Sequence, residues 1–155
     1  MSLDYYFRPL GLNDLTGMMQ IEREVFQLPW SAGQMKDSLL AAHCQTWGIF
    51  SEETGVLMGF GVLSIVLDEV ELLTLGISSG FHRKGYGEKL LKFLLDKSRE
   101  AKAEKVFLEL PESNQAALNL YLKCGFLKIG LREKYYTAPD MNQGREDAIL
   151  MRLIF

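Results

Sequence analysis

Glu69-Val-Glu-Leu-Leu-Thr-Leu-Gly-Ile77, His82-Arg-Lys-Gly-Tyr-Gly87 and Lys105-Val-Phe-Leu-Glu-Leu110 frame the part of the chain that decides its fold. The first and third read as strands. In the third, Val106, Leu108 and Leu110 fall on one face, and Phe107 and Glu109 on the other. Between them, Gly85 to Ala101 carries Leu90, Leu91, Leu94 and Leu95 in one stripe. Glu88, Lys89, Lys92, Asp96 and Arg99 lie outside it, the pattern of a half-buried helix. A strand, a long helix and a strand in succession require a crossover, so the two strands are expected to run parallel.

Working outward, Tyr5 to Pro9 reads as a strand. Asn13 is expected to cap a helix with apolar positions Leu15, Met18, Met19, Val25 and Phe26. Pro29 ends that segment. Ser31-Ala-Gly-Gln34 has the form of a capping box, flanked by Trp30 and Met35 as a hydrophobic staple, and its helix reaches about Ala42. Gln45 to Phe50 and Val56 to Leu67 read as strands joined by a polar turn, with Gly59 and Gly61 suggesting a bulge. Ser113 or Asn114 caps a helix that closes at Gly125, and Phe126 to Arg132 and Glu146 to Leu153 are the last strands. The order is β-α-α-β-β-β-α-β-α-β-β. It describes an α/β chain (α+β by layer count), with a mixed, mostly antiparallel central sheet flanked by helices. Residues 1–155 are expected to form one domain.

Composition narrows the function. A chain of 155 residues, 48% hydrophobic, can bury a core without a metal or disulfide staple. The net charge of −3 lacks the basic footprint of a nucleic-acid-binding protein. Two cysteines, Cys44 and Cys124, make neither a metal cluster nor a disulfide framework. No apolar run is long enough for a signal sequence or a membrane span, so a soluble cytoplasmic domain is expected; the oligomeric state is left open, with a monomer as the default.

The turn His82 to Gly87 lies where a strand passes into the long helix. Gly85 and Gly87 let backbone approach a ligand, and the helix's first N–H groups make an anion site to which Arg83 and Lys84 add charge. GxxxxGK[ST] is absent, and Leu90 stands where a dinucleotide fingerprint needs its third glycine, so ATP and NAD readings lose ground. The turn resembles that of the GCN5-related N-acetyltransferases (GNAT): Gln or Arg, two residues, Gly, one residue, Gly or Ala. His82 occupies the place where Gln or Arg is usual. A second stretch is more specific. Asn114, Ala117, Leu120, Tyr121, Gly125 and Phe126 match the same family's pattern of Asn, two residues, Ala, two residues, Leu-Tyr, three residues, Gly-Phe. Val66 to Ile77, and Tyr135-Tyr136 followed by Gly144-Arg-Glu-Asp-Ala148, are similar to the RimI type within that family, the bacterial ribosomal-protein alanine N-acetyltransferases.

The resemblance implies the GNAT fold with acetyl-CoA as co-substrate and no metal. Pyrophosphate would lie on residues Arg83, Lys84, Gly85, Tyr86 and Gly87, with His82 beside them. The strand Leu72 to Ile77 would bond the pantetheine arm, through Leu75, Gly76 and Ile77, and Asn114 would bond the cofactor. It also implies a protein N-terminus as partner: the terminal alanine of ribosomal protein eighteen of the small subunit.

The chemistry assigns further roles. An amine attacking a thioester must be neutral, charge on the carbonyl oxygen must be held, and a thiolate must leave. An α-amino group, with a pKa of about 7.7–8.0, needs far less help than lysine at about 10.4. Glu109 is the candidate base, matching a glutamate to which the RimI type assigns that role. Tyr121, a phenol protonated at neutral pH, is the candidate acid, as the family implies. Backbone N–H groups near Gly76 and Ile77 can polarise the carbonyl. The acceptor is expected between the loop Phe26-Gln-Leu28-Pro29-Trp30 and the pair Tyr135-Tyr136, with Glu69 in an acidic mouth that also holds Asp68 and Glu71. Two alternatives are a small-molecule amine acetyltransferase, acting on a polyamine or an antibiotic, and a non-catalytic acetyl-CoA-binding module.

Overall fold

The computed structural model describes residues 4–137 and 145–155, with the backbone alone for residues 134–137 and 145. Along the chain run β1 (Tyr5–Pro9), α1 (Leu15–Val25), α2 (Ala32–Leu40), β2 (Cys44–Ser51), β3 (Leu57–Val66), β4 (Glu69–Ile77) and α3 (Tyr86–Glu100). They are followed by β5 (Lys105–Pro111), α4 (Gln115–Lys123), β6 (Leu127–Thr137) and β7 (Arg145–Ile154). This is the order expected from sequence, with 3-10 turns added at Leu12–Asp14 and Ser79–Phe81. The strands form one sheet in the order β1-β2-β3-β4-β5-β7-β6, antiparallel throughout except where β4 meets β5.

Helices cover both faces. On one, Leu90, Leu91 and Leu94 of α3 and Leu118 and Tyr121 of α4 pack on Val70, Leu72, Val106 and Leu108. On the other, Met18, Met19 and Ile21 of α1 and Met35 of α2 pack on Phe60 and Val62. Ser31 and Gln34 close the expected capping box, with bonds of 3.1 and 2.8 Å. Trp30 packs against the same cluster as Met35, in keeping with the staple.

Two expectations are corrected. Asn13 does not cap α1; Asp14 holds the N-cap position. The reason is tertiary. Asp14 accepts the Gly11 N–H at 2.9 Å and pairs with Arg8 of β1 at 2.9 Å, which fixes residues 12–14 as a separate turn. The bulges do not fall on Gly59 or Gly61, both of which sit in regular pairs. One skips Met58, and the other places Leu73 of β4 as an extra residue between partners of Val62 and Leu63. The two glycines serve close approach instead. A Cβ at Gly61 would collide with Leu94, and one at Gly59 with Ile77 and the Gly76 carbonyl.

The Leu73 bulge matters for function. β4 pairs with β5 only at Glu69–Lys105, Val70–Val106 and Glu71–Phe107, while β5 continues to pair with β7 as far as Pro111. A bulge bends its strand and raises the local twist. Here it sits two residues past the last β4–β5 pair. Beyond Glu71 the two strands part, and the backbone groups of β4 that would face β5 line a gap through the sheet.

Candidate active site

The gap opens into a cleft of about 390 Å³ that reaches both faces of the sheet. Glu22, Val25, Phe26, Leu28, Trp30 and Glu109 line it on the α1 side, and Asn114, Ala117 and Tyr121 on the α4 side. The sheet thus separates the two candidate catalytic side chains, and the gap connects them.

Glu109 projects from β5 away from Leu108 and Leu110, as its alternation predicts. It is a quarter exposed, and its Oε1 lies 2.9 Å from Arg132 Nη2 of β6. Glu71 of β4 faces the same pair. Its carboxyl is pushed up by burial and by the Glu109 charge, and Arg132 opposes that rise. Glu109 thus pairs with the guanidinium, and Glu71 feels the charge of both where β4 and β5 part.

Tyr121 is 7% exposed and meets Phe126 edge-on, with ring centroids 5.6 Å apart. Burial pushes its phenol far above the ordinary range, so it stays protonated throughout the neutral range. Asn114 caps α4, its Oδ1 accepting the Ala117 N–H at 3.2 Å, and the donor end of the same amide remains for the cleft. Ser113 and Glu146 tie the start of α4 to β7 through a 2.7 Å hydrogen bond.

The glycine turn meets the physical needs of an anion site. Gly85 is the N-cap of α3 at φ +84°, in the left-handed region that favours glycine, and no side chain caps the helix. A Cβ at Gly85 would meet nothing within 4 Å, so the helix N-terminus faces open space. Arg83 also stands at positive φ, +61°, a conformation that non-glycine residues rarely hold without a local constraint. Lys84 is exposed beside it. The Tyr86 side chain is in the core, edge-on to Tyr5 and Phe81, so only its backbone faces the turn. His82 turns its Nε2 to the carbonyl oxygen of Ile77 and so closes the end of β4. Glu24 of α1 accepts from Ser78 Oγ at 3.2 Å and from both the N–H and the hydroxyl of Ser79. Those hydrogen bonds hold its carboxyl below the usual range and fasten α1 to the turn that precedes the helix.

The other residues expected at the site divide. Leu75 lines the cleft, with Gly76 and Ile77 just beyond it on β4. Gly76 is needed for packing as well, since a Cβ there would stand 3.2 Å from both Val25 and Phe26. Leu28 and Trp30 line the cleft; Pro29 between them is exposed and does not. Glu69 stands apart from them. It lies at the closed end of β4, paired with Val66 and Lys105, away from the cleft. The side chains of Tyr135 and Tyr136 lie outside the described residues, and the backbone of both runs in β6. Among the described residues, no group of His, Cys, Asp or Glu could hold a metal ion. No described helix is long and apolar enough to cross a membrane.

Sequence reasoning misses Glu22, Arg132, Thr74 and Glu146. Glu22 does carry a signal: it falls four residues after Met18 and three before Val25, on the apolar stripe of α1, where a charge is out of place.

Comparison with known proteins fixes the family. The pattern described as "Acetyltransferase (GNAT) family" matches residues 15–126. The chain belongs to the GNAT acetyltransferase family. The [ribosomal protein bS18]-alanine N-acetyltransferase of Escherichia coli K12 is similar to this GNAT chain, at 31% identity over 93% of each. The crystal structure of the ribosomal-protein-S18-alanine N-acetyltransferase from Escherichia coli superposes with a TM-score of 0.89. It is 28% identical, covering 97% of this chain and 94% of that one. Arabidopsis thaliana NAA60 in complex with acetyl-CoA shares the fold, with a TM-score of 0.86 at 20% identity, over 98% and 99% of the two chains. The mixed seven-stranded sheet is thus the GNAT fold, and this chain is an N-acetyltransferase.

Proposed function

We propose that this GNAT enzyme transfers the acetyl group of acetyl-CoA to the α-amino group of a protein N-terminus, an N-terminal alanine. The protein is ribosomal protein bS18 of the small subunit. The observation that carries the reading is the 31% identity, over 93% of each chain, to the Escherichia coli enzyme named for that reaction.

Acetyl-CoA supplies an acetyl group activated as a thioester. The open N-terminus of α3, with Gly85, Gly87, Arg83 and Lys84, suits its pyrophosphate. The unpaired edge of β4 from Leu72 to Ile77 suits the amides of the pantetheine arm, and the Asn114 amide stands on the same side as Tyr121. On the opposite face, Glu109 takes a proton from the acceptor amine, with its own charge balanced by Arg132. The amine nitrogen bonds to the acetyl carbon, the carbon–sulfur bond breaks, and Tyr121 protonates the departing thiolate. Leu28 and Trp30 provide an apolar wall for the acceptor, to which Tyr135 and Tyr136 of β6 would add.

The test supplies acetyl-CoA with a peptide carrying the bS18 N-terminus, the same peptide with its amine blocked, and a polyamine, and follows thiol release. Turnover is expected on the first alone. Turnover on the blocked peptide at a lysine, or on the polyamine in preference to the peptide, would overturn the reading.

A further inference from the structure

Glu22 is 2% exposed, yet it belongs to the lining of the cleft. Its two oxygens have different fates. Oε2 accepts the Trp30 N–H at 2.9 Å and so ties the loop after α1 back onto the helix. Oε1 exposes almost no surface and has no hydrogen-bond partner among the described residues. The Thr74 side chain of β4 interacts with the same carboxylate and opposes the rise that burial causes. Burial pushes the Glu22 carboxyl up from its usual range.

A buried carboxylate with half of its accepting capacity unused is costly. Nothing in the helix requires it, since the flanking positions Met18, Met19 and Ile21 serve α1 as apolar core residues. Holding the loop by Trp30 N–H needs one oxygen, which a neutral amide would supply at lower cost. The second oxygen calls for a donor that arrives with a ligand. Of the two ligands of an N-acetyltransferase, only the acceptor brings a cation or an N–H to the α1 side of the sheet.

Building on the proposed function, we infer that Glu22 is an acceptor-binding residue, whose Oε1 takes a hydrogen bond from the acceptor's amine in the cleft. A carboxylate oxygen accepts strongly from an ammonium and more weakly from a neutral amine, so the contact persists, weakened, after loss of the proton to Glu109. The Trp30 bond makes the same carboxylate a gauge of the loop's position, so the loop and the amine are registered against one group.

The experiment measures binding of two peptides to the enzyme with CoA bound, so that no turnover intervenes. One peptide has an N-terminal alanine. In the other, propionyl replaces that alanine, which removes only the amine. The wild-type enzyme is expected to prefer the amine at least tenfold. Glu22→Gln keeps an oxygen for Trp30 N–H and replaces the anionic oxygen by NH2, so the preference should fall at least fivefold, and what remains is the share of Glu109, which meets the same amine. A wild-type enzyme without the preference, or a Glu22→Gln variant that retains it in full, would overturn the inference. The wild-type measurement can do so even if Glu22→Gln fails to fold. Preference without acetylation of any peptide would sink the proposed reaction and leave the amine site standing; acetylation without preference would do the reverse.

Discussion

Replacing Gly59 by alanine tests how the sheet carries the donor strand. Gly59 of β3 pairs with Ile77, at the end of β4 where the strand has left β5. A Cβ there would stand 2.6 Å from the Gly76 carbonyl oxygen, about 0.8 Å short of the 3.4 Å at which ordinary contact begins. It would also be 3.2 Å from the Ile77 Cα and would collide with the Ile77 Cδ1. The side-chain atom can swing aside; the carbonyl and Cα cannot move without moving β4. Overpacking of this kind costs about 1–3 kcal/mol. At about 2–4 °C per kcal/mol for a chain of this size, the melting temperature should fall by roughly 2–12 °C. The displaced strand is the one proposed to hold the pantetheine arm, and a shift near 1 Å in a positioning element can cost on the order of a hundredfold in rate. The assay pairs thermal unfolding with kcat/KM for acetyl-CoA. Gly80→Ala is the control, because a Cβ there meets nothing within 4 Å. A Gly59→Ala enzyme with wild-type melting temperature and wild-type kcat/KM would refute the claim that β3 fixes the end of β4.

Four further outcomes are expected. Glu109→Gln and Tyr121→Phe should each lower kcat at least tenfold with little change in acetyl-CoA affinity; initial rates and a binding titration check this. Gly85→Ala, at φ +84°, should cost about 1–2 kcal/mol of backbone strain and raise KM for acetyl-CoA, read by calorimetry and saturation kinetics. Asn114→Ala should lose about 1 kcal/mol of stability through the missing cap of α4, measured by denaturant titration. Glu22 has a raised carboxyl in the fold, so its contribution to stability is fully present below the unfolded carboxylate value, about 4.3, and is lost as pH rises through the folded value. Glu22→Gln should therefore melt above wild type at pH 7 to 8, with the gap closing toward pH 4, in a pH series of thermal melts.

The crossover from β4 through α3 to β5 is legible in the sequence because strand alternation and a helical leucine stripe are properties of neighbouring residues. The same holds for the capping box at Ser31 and the glycine turn before α3. The cap of α1 is not legible at Asn13, because Arg8, on a different element, decides how Asp14 is used. Gly59 and Gly61 suggest a bulge from sequence, whereas the extra residue in β4 is Leu73, which no local signal marks. Glu69 groups with Glu71 and Asp68 as one acidic mouth in the sequence, and only the closing of β4 on β5 separates it from the cleft.

Local sequence suffices for the order of the elements, the parallel pair and the residues that mark an acetyltransferase, because these rest on short-range periodicity and on motifs with fixed spacing. What stands opposite what is a property of the folded chain alone. Arg132 meets Glu109, Glu24 reaches Ser78 and Ser79 from 54 and 55 residues away, and Glu22 is buried at the cleft with one oxygen committed to Trp30. Such contacts depend on where β4 bends and on how α1 crosses it, and those follow from packing on both faces of the sheet rather than from any single stretch of chain.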